Sequence, residues 1–192
     1  MRIYSCKTTL SGKAAREASH RFLSAVLKDS FGIVPTPEDL VRGRWGKPYL
    51  PACPAAQFNL SHTTGLFVAV TADEAVGIDC EMITRPARVK ALGKRYFSPS
   101  EQKYLKEKDF SPEIFYLIWT KKESYVKYRG EGLSIPLPSF SVPPGYDVAG
   151  CQGDAYQASY RIGDHIVSVT QKNPEGFIKK AEIIPINLSE LS

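Results

Sequence analysis

Trp119-Thr120-Lys121-Lys122-Glu123-Ser124-Tyr125-Val126-Lys127 lies inside a segment that opens at Ser111-Pro112 and closes at Gly130 and Gly132. Proline at the first helical position and glycine just past the last are start and stop signals, so the spacing predicts one helix running to about Arg129. Trp119, Glu123 and Lys127 fall at i, i+4 and i+8 on it, a single stripe. The plain account of Glu123 and Lys127 is a solvated intrahelical pair, worth about 0.3–0.5 kcal/mol. A tryptophan on the same stripe argues for partial burial, and a buried charge has to be paired or bound to a metal. Lys121 and Lys122 fall on other faces of the helix, and Lys121 is expected in solvent.

Upstream, Val76-Gly77-Ile78-Asp79-Cys80-Glu81 reads as a strand buried near Val76 and Ile78. Carboxylates two residues apart on a strand share a face. Asp79 and Glu81 are then either exposed residues at a strand end or, joined by Glu123, a set of oxygen donors for Mg2+. A magnesium ion that keeps some water and grips a phosphate needs little more, and Lys127 would sit beside it.

Working outward, Ile3-Tyr4 opens a strand, and Ala14 to Lys28 is an amphipathic helix with Ala15, Ala18, Phe22, Ala25 and Val26 at helical spacing. Pro35 to Leu40 is a loop leading into a helical turn, and Pro48, Pro51 and Pro54 keep the next stretch irregular. Phe58–His62 and Leu66–Thr71 are strands. Ser98-Pro99-Ser100-Glu101 carries the signs of a capping box at a helix start. Gln157–Ile162 and His165–Gln171 form a hairpin around Gly163-Asp164, and a last strand covers about Ile178 to Pro185. The order predicts an α+β fold of two halves of similar content, 1–76 and 77–192.

The 192 residues suffice for one large domain, and neither a signal-peptide core nor an apolar run of membrane-spanning length is present. Four scattered cysteines (Cys6, Cys53, Cys80, Cys151) suggest neither a zinc site nor a disulfide framework, so a reducing cytoplasm is expected. The net charge of +5 points to acidic partners of some kind. Phosphate-binding Walker loops, dinucleotide fingerprints, zincin motifs and nucleophile elbows are all missing, which excludes those enzyme classes.

Other polar clusters remain. Lys47, held between Gly46 and Pro48, suits a point-charge grip on a phosphate. Ser61 and His62 end a strand where hydroxyl and imidazole can donate to phosphate oxygens, against the plainer reading of His62 as a structural residue. Arg21 and Arg44 could add charge. Glu101 is accounted for by the capping box, a base role requiring that its helix start abut the metal.

Together, Gly46-Lys47-Pro48, Phe58-Asn59-Leu60-Ser61-His62, Val76 to Glu81, Phe97-Ser98-Pro99-Ser100-Glu101, Trp119 to Lys127 and Gly132-Leu133-Ser134 resemble the 4'-phosphopantetheinyl transferase superfamily, in family order. The length resembles the single-chain Sfp-type branch, not the shorter, trimeric holo-acyl-carrier-protein synthase branch. The resemblance implies two similar α/β halves related by a pseudo-two-fold axis, with coenzyme A bound between them as co-substrate. Asp79, Glu81 and Glu123 match the magnesium ligands, and Lys127 the lysine that assists the leaving group. Lys47, Ser61 and His62 match contacts to the 3'-phospho-ADP phosphates. Arg21 resembles a further phosphate contact, although Phe22 stands where a hydroxyl residue is common and the N-terminal half is shorter than usual. Glu101 matches a glutamate proposed as general base in some members.

The expected activity is therefore that of a holo-[acyl-carrier-protein] synthase-type transferase. It would use an acidic apo acyl or peptidyl carrier protein as partner, as a monomer, with neither nucleic acid nor membrane involved. A magnesium-dependent phosphohydrolase using the same carboxylates and a non-catalytic coenzyme A or nucleic-acid module are the competing readings. The basic residues are spread along the chain, which weighs against nucleic acid.

Overall fold

In the computed structural model, residues 1–84, 88–177 and 182–190 are described. β1 (Arg2–Lys7) leads into α1 (Gly12–Phe31), whose Ala18, Phe22, Leu23, Val26 and Leu27 are buried at helical spacing. Gly32 ends α1 at φ +70°, and its N–H bonds back to the Lys28 carbonyl. A two-residue hairpin, β2 (Val41–Arg42) and β3 (Pro48–Tyr49), precedes the long hairpin of β4 (Gln57–Thr63) and β5 (Leu66–Ala72). β6 (Val76–Met82) follows, then α2 (Val89–Tyr96), α3 (Pro99–Glu107) and α4 (Pro112–Arg129). The chain closes with β7 (Ala149–Gly150), the hairpin β8 (Tyr156–Ile162) and β9 (His165–Gln171), and β10 (Ile184–Pro185).

The expected strands and long helices are all present, apart from the first part of the last strand, Ile178 to Ala181, which lies outside the described residues. Its described end, β10, runs parallel to β1. Among the described residues no helix is long and apolar enough to cross a membrane.

Eight of the ten described strands form two four-stranded sheets, β10-β1-β5-β4 and β6-β9-β8-β7, and β2 pairs with β3 separately. Ile3, Leu66, Val68 and Val70 of the first pack against Val76, Ile78, Val167 and Val169 of the second, so the main core lies between the sheets. α1 covers the other face of the first sheet, with Phe22 and Val26 against Tyr4, Phe67 and Ala69.

α4 covers the second sheet through a polar seam. Thr120 Oγ1 and Ser168 Oγ are 2.7 Å apart, and Ser124 Oγ and Thr170 Oγ1 2.8 Å. Gln157 Nε2 donates to the Lys121 carbonyl at 2.7 Å and to Thr170 Oγ1 at 2.9 Å. These hydroxyls are small enough for a close approach, and Gly77 makes it closer still. A Cβ at Gly77 would lie 2.1 Å from the Ser124 carbonyl oxygen and 2.4 Å from the Tyr128 nitrogen. The glycine of the Gly77-Ile78-Asp79 run is needed because helix backbone rests directly on it.

Candidate active site

Among the described residues, β6 pairs with β9 along one edge only. Side chains from the first half of the chain close its other edge. The Ile78 N–H donates to Asn59 Oδ1 at 2.9 Å, and Lys47 Nζ donates to the Val76 carbonyl at 2.8 Å. Ladder groups of a strand edge that would otherwise be orphaned are thus satisfied.

The same strand β4 supplies the next two contacts. Asn59, Ser61 and Thr63 alternate along it and so share a face. Ser61 Oγ donates to Asp79 Oδ1 at 2.8 Å, and Thr63 Oγ1 donates to Glu81 Oε2 at 3.1 Å. From α4, Lys127 Nζ donates to Asp79 Oδ1 at 2.7 Å and to Ser61 Oγ at 2.9 Å. Asp79 is 6% exposed, and the Lys127 side chain 28%.

The electrostatics follow from this crowding. Burial raises the proton affinity of Glu81, and the charge of Asp79 raises it further, while Thr63 and Lys127 pull it back. Glu123 is raised by the same causes, burial first and Asp79 next, with Lys127 opposing. Lys127 is disfavoured as a cation by burial, yet its pairing with Asp79 outweighs that and holds it above the ordinary lysine value. Three carboxylates therefore share one neighbourhood with the half-buried Lys127 ammonium.

The donors fit a magnesium ion in kind. All are hard oxygens, and Asp79 Oδ2 is buried without a hydrogen-bond partner. As the side chains stand, no three His, Cys, Asp or Glu among the described residues come close enough together to hold a metal. Asp79 Oδ1 and Glu81 Oε2 are engaged with Ser61, Lys127 and Thr63 instead.

The other expected site residues are more dispersed. Lys47 reaches the same strand three residues before Asp79, and burial lowers its pKa to about 8. His62 lies on the opposite face of β4 from Ser61, exposed and edge-on to Phe67. It lines a cavity of about 770 Å³ with Thr8, Ser11 and Arg16 at the start of α1. Arg21 is exposed on α1 and does not line that cavity; Arg16 does. Glu101 sits in the capping box: its Oε2 accepts from the Ser98 N–H at 2.7 Å.

Lys121 contradicts the expectation of a solvated side chain. It is 0% exposed, and its Nζ donates to the Pro143 carbonyl at 2.9 Å. The chain segment after α4 folds back over the helix and supplies carbonyls that helical periodicity alone does not reveal.

Sequence reasoning also gave no role to Thr63, Asn59 or Arg16. The alternation 59, 61, 63 was the available signal for the first two. For Arg16 there was none, because the cavity forms from segments far apart in sequence.

The profile of the 4'-phosphopantetheinyl transferase superfamily matches residues 75–170, which includes β6 and α4. The chain is 42% identical over 100 residues to 4'-phosphopantetheinyl transferase Sfp of Bacillus subtilis (strain 168), covering 51% of this chain and 44% of that one. A second 4'-phosphopantetheinyl transferase of Bacillus subtilis is 39% identical over 115 residues, 59% of this chain and 50% of the relative. The 4'-phosphopantetheinyl transferase AcpT of Salmonella typhimurium is 33% identical over 129 residues, 65% of this chain and 67% of AcpT. The chain spans about half the length of the Bacillus relatives it matches. With the profile match and the AcpT coverage, the chain belongs to the 4'-phosphopantetheinyl transferase superfamily, and its likeness is to the Sfp type.

Proposed function

We propose that the chain transfers the 4'-phosphopantetheine group of coenzyme A to a serine of an apo acyl or peptidyl carrier protein, with Mg2+, releasing 3',5'-ADP. The observation that carries this is the meeting of Asp79, Glu81, Glu123 and Lys127, from β6 and α4, in a chain of this family.

Asp79, Glu81 and Glu123 are the proposed magnesium ligands. A bound Mg2+ would neutralise charge that develops on the coenzyme A pyrophosphate. Lys127, held cationic by Asp79, would stabilise the departing phosphate oxygen. Lys47 and Ser61 are proposed to hold the phosphates of the 3'-phospho-ADP half, with His62 and Arg21 as outer contacts. The carrier serine oxygen forms its bond to the β-phosphorus as the bond from that phosphorus to the bridging oxygen breaks. The hydroxyl proton passes to water at the site, because Asp79, Glu81 and Glu123 would be engaged by the metal.

The chain course supports two related halves. β1, α1 and the hairpin β4–β5 recur in kind as β6, α4 and the hairpin β8–β9, and each long helix covers its own sheet. A pseudo-two-fold axis between 1–76 and 77–192 would place the cluster at the seam.

The test is direct. Incubated with coenzyme A, Mg2+ and a panel of apo carriers, the protein should add the mass of one phosphopantetheine to at least one carrier. Glu123→Gln should abolish this with the fold retained. No mass gain on any carrier by folded protein would overturn the proposal.

A further inference from the structure

Glu101 is 4% exposed, and both of its carboxylate oxygens are engaged. Oε2 accepts from the Ser98 N–H and lies 2.8 Å from Lys122 Nζ; Oε1 accepts from the Val142 N–H at 2.8 Å. Lys122 is itself 0% exposed and donates to the carbonyls of Leu137 at 2.8 Å and Phe140 at 2.6 Å. Its ammonium also lies 4.3 Å from the centre of the Phe140 ring. One buried ion pair thus joins the start of α3, the outer flank of α4 and the segment 137–142.

A small cavity of about 200 Å³ opens beside Glu101, walled mainly by Leu117, Ile118, Val142 and Pro143. Asp79, Glu81, Glu123 and Lys127 do not line it. A general base needs a lone pair aimed at the proton it takes, close to the reacting phosphorus. Glu101 has three contacts on its two oxygens and shares no such cavity with Asp79, Glu81, Glu123 and Lys127, so it is not placed for that role.

We infer that Glu101 and Lys122 form a positioning pair that fixes the roll of α4, and that Glu101 is not the base. Lys122 and Glu123 are consecutive, so they project about 100° apart around the helix. Anchoring the outer flank therefore sets where Glu123 and Lys127 point. A roll of about 10° moves a side-chain tip some 5–6 Å from the axis by roughly 1 Å. Displacement of that size can lower a rate by about 100-fold.

The catalytic part of this inference rests on the proposed transferase activity; the structural part does not. The test compares Glu101→Gln, Lys122→Met and the double variant, each followed by amide hydrogen exchange of α4 and by the pH profile of transfer. A positioning pair predicts that both single variants lose exchange protection over residues 120–129. Both should lower kcat by about 10–100-fold. The double variant should lose little more than either single one, because all three break the same pair. The acid limb of the pH profile should persist in Glu101→Gln.

If instead Glu101→Gln keeps full protection of α4, falls to background rate and loses the acid limb, Glu101 is the base and the inference fails. Should Lys122→Met not fold, Glu101→Gln alone still decides between these outcomes. Should wild-type protein modify no carrier, the function proposal falls by itself, and unchanged α4 exchange in the variants would overturn the inference.

Discussion

Replacing Gly77 by alanine tests whether the site depends on the close contact of α4 with β6. The new Cβ would stand 2.1 Å from the Ser124 carbonyl oxygen, where ordinary contacts begin near 3.4 Å, so backbone must part by about 1.3 Å. Both colliding groups are main chain, and no rotamer change can relieve them. Overpacking costs about 1–3 kcal/mol, and the rigid neighbours put this case at the upper end. At about 2–4 °C per kcal/mol for a chain of this size, Tm should fall by roughly 6–12 °C.

Lifting α4 by that distance also stretches the 2.7 Å Lys127–Asp79 contact to about 4 Å, beyond hydrogen bonding. Transfer should then fall by about 100-fold or more. The assays are thermal unfolding and carrier modification, with Gly150→Ala as control, since a Cβ there meets nothing closer than 3.9 Å. A Gly77→Ala protein with Tm within about 2 °C of wild type and activity within about threefold would refute the reasoning.

Three further outcomes are expected. Lys47 has its pKa lowered to about 8 by burial, so the KM for coenzyme A should rise above that pH, and Lys47→Ala should remove the rise. In the same window stability should increase, because unfolded lysine, with a pKa of about 10.4, binds more protons than the folded form. Lys121, likewise lowered to about 8, should share in that increase, so Lys121→Met should shrink it while leaving the KM limb alone. Millimolar Mg2+ should raise Tm near neutral pH and do so less as pH falls, because Glu81 and Glu123 hold protons more tightly than ordinary carboxylates. Glu81→Gln should weaken this effect, and no Mg2+ shift at any pH would contradict the metal assignment. Asn59→Leu removes the partner of the Ile78 N–H at a buried edge; denaturant unfolding should show a loss of about 1–3 kcal/mol, and an unchanged midpoint would speak against the edge-closing role.

Much of the architecture could be read from local signals. Ser98-Pro99 and Ser111-Pro112 start helices where expected, Gly130 ends α4 at φ +65°, and the alternation in 157–171 gives the hairpin. α2 escaped notice because Gly93 lies within it and its N-cap is Arg88, a residue that signals no helix start. At the site, the joint stripe of Glu123 and Lys127 was visible because it follows from helical period alone. Burial of Lys121 was not, since it depends on the Pro143 carbonyl, 22 residues away along the chain. The capping box at Glu101 was legible, but its further bonds to Lys122 and Val142 are tertiary.

The Lys127–Asp79 contact joins residues 48 positions apart in sequence, and the Lys127–Ser61 contact residues 66 apart. During synthesis, at about 5–20 residues per second, Asp79 precedes Lys127 by roughly 2–10 s. For that interval the buried face of β6 carries an acid whose counter-ion has not yet been made. Asp79 and Lys127 cannot meet until α4 has emerged. The order of translation thus makes the meeting of these charges wait for the helix that covers the second sheet.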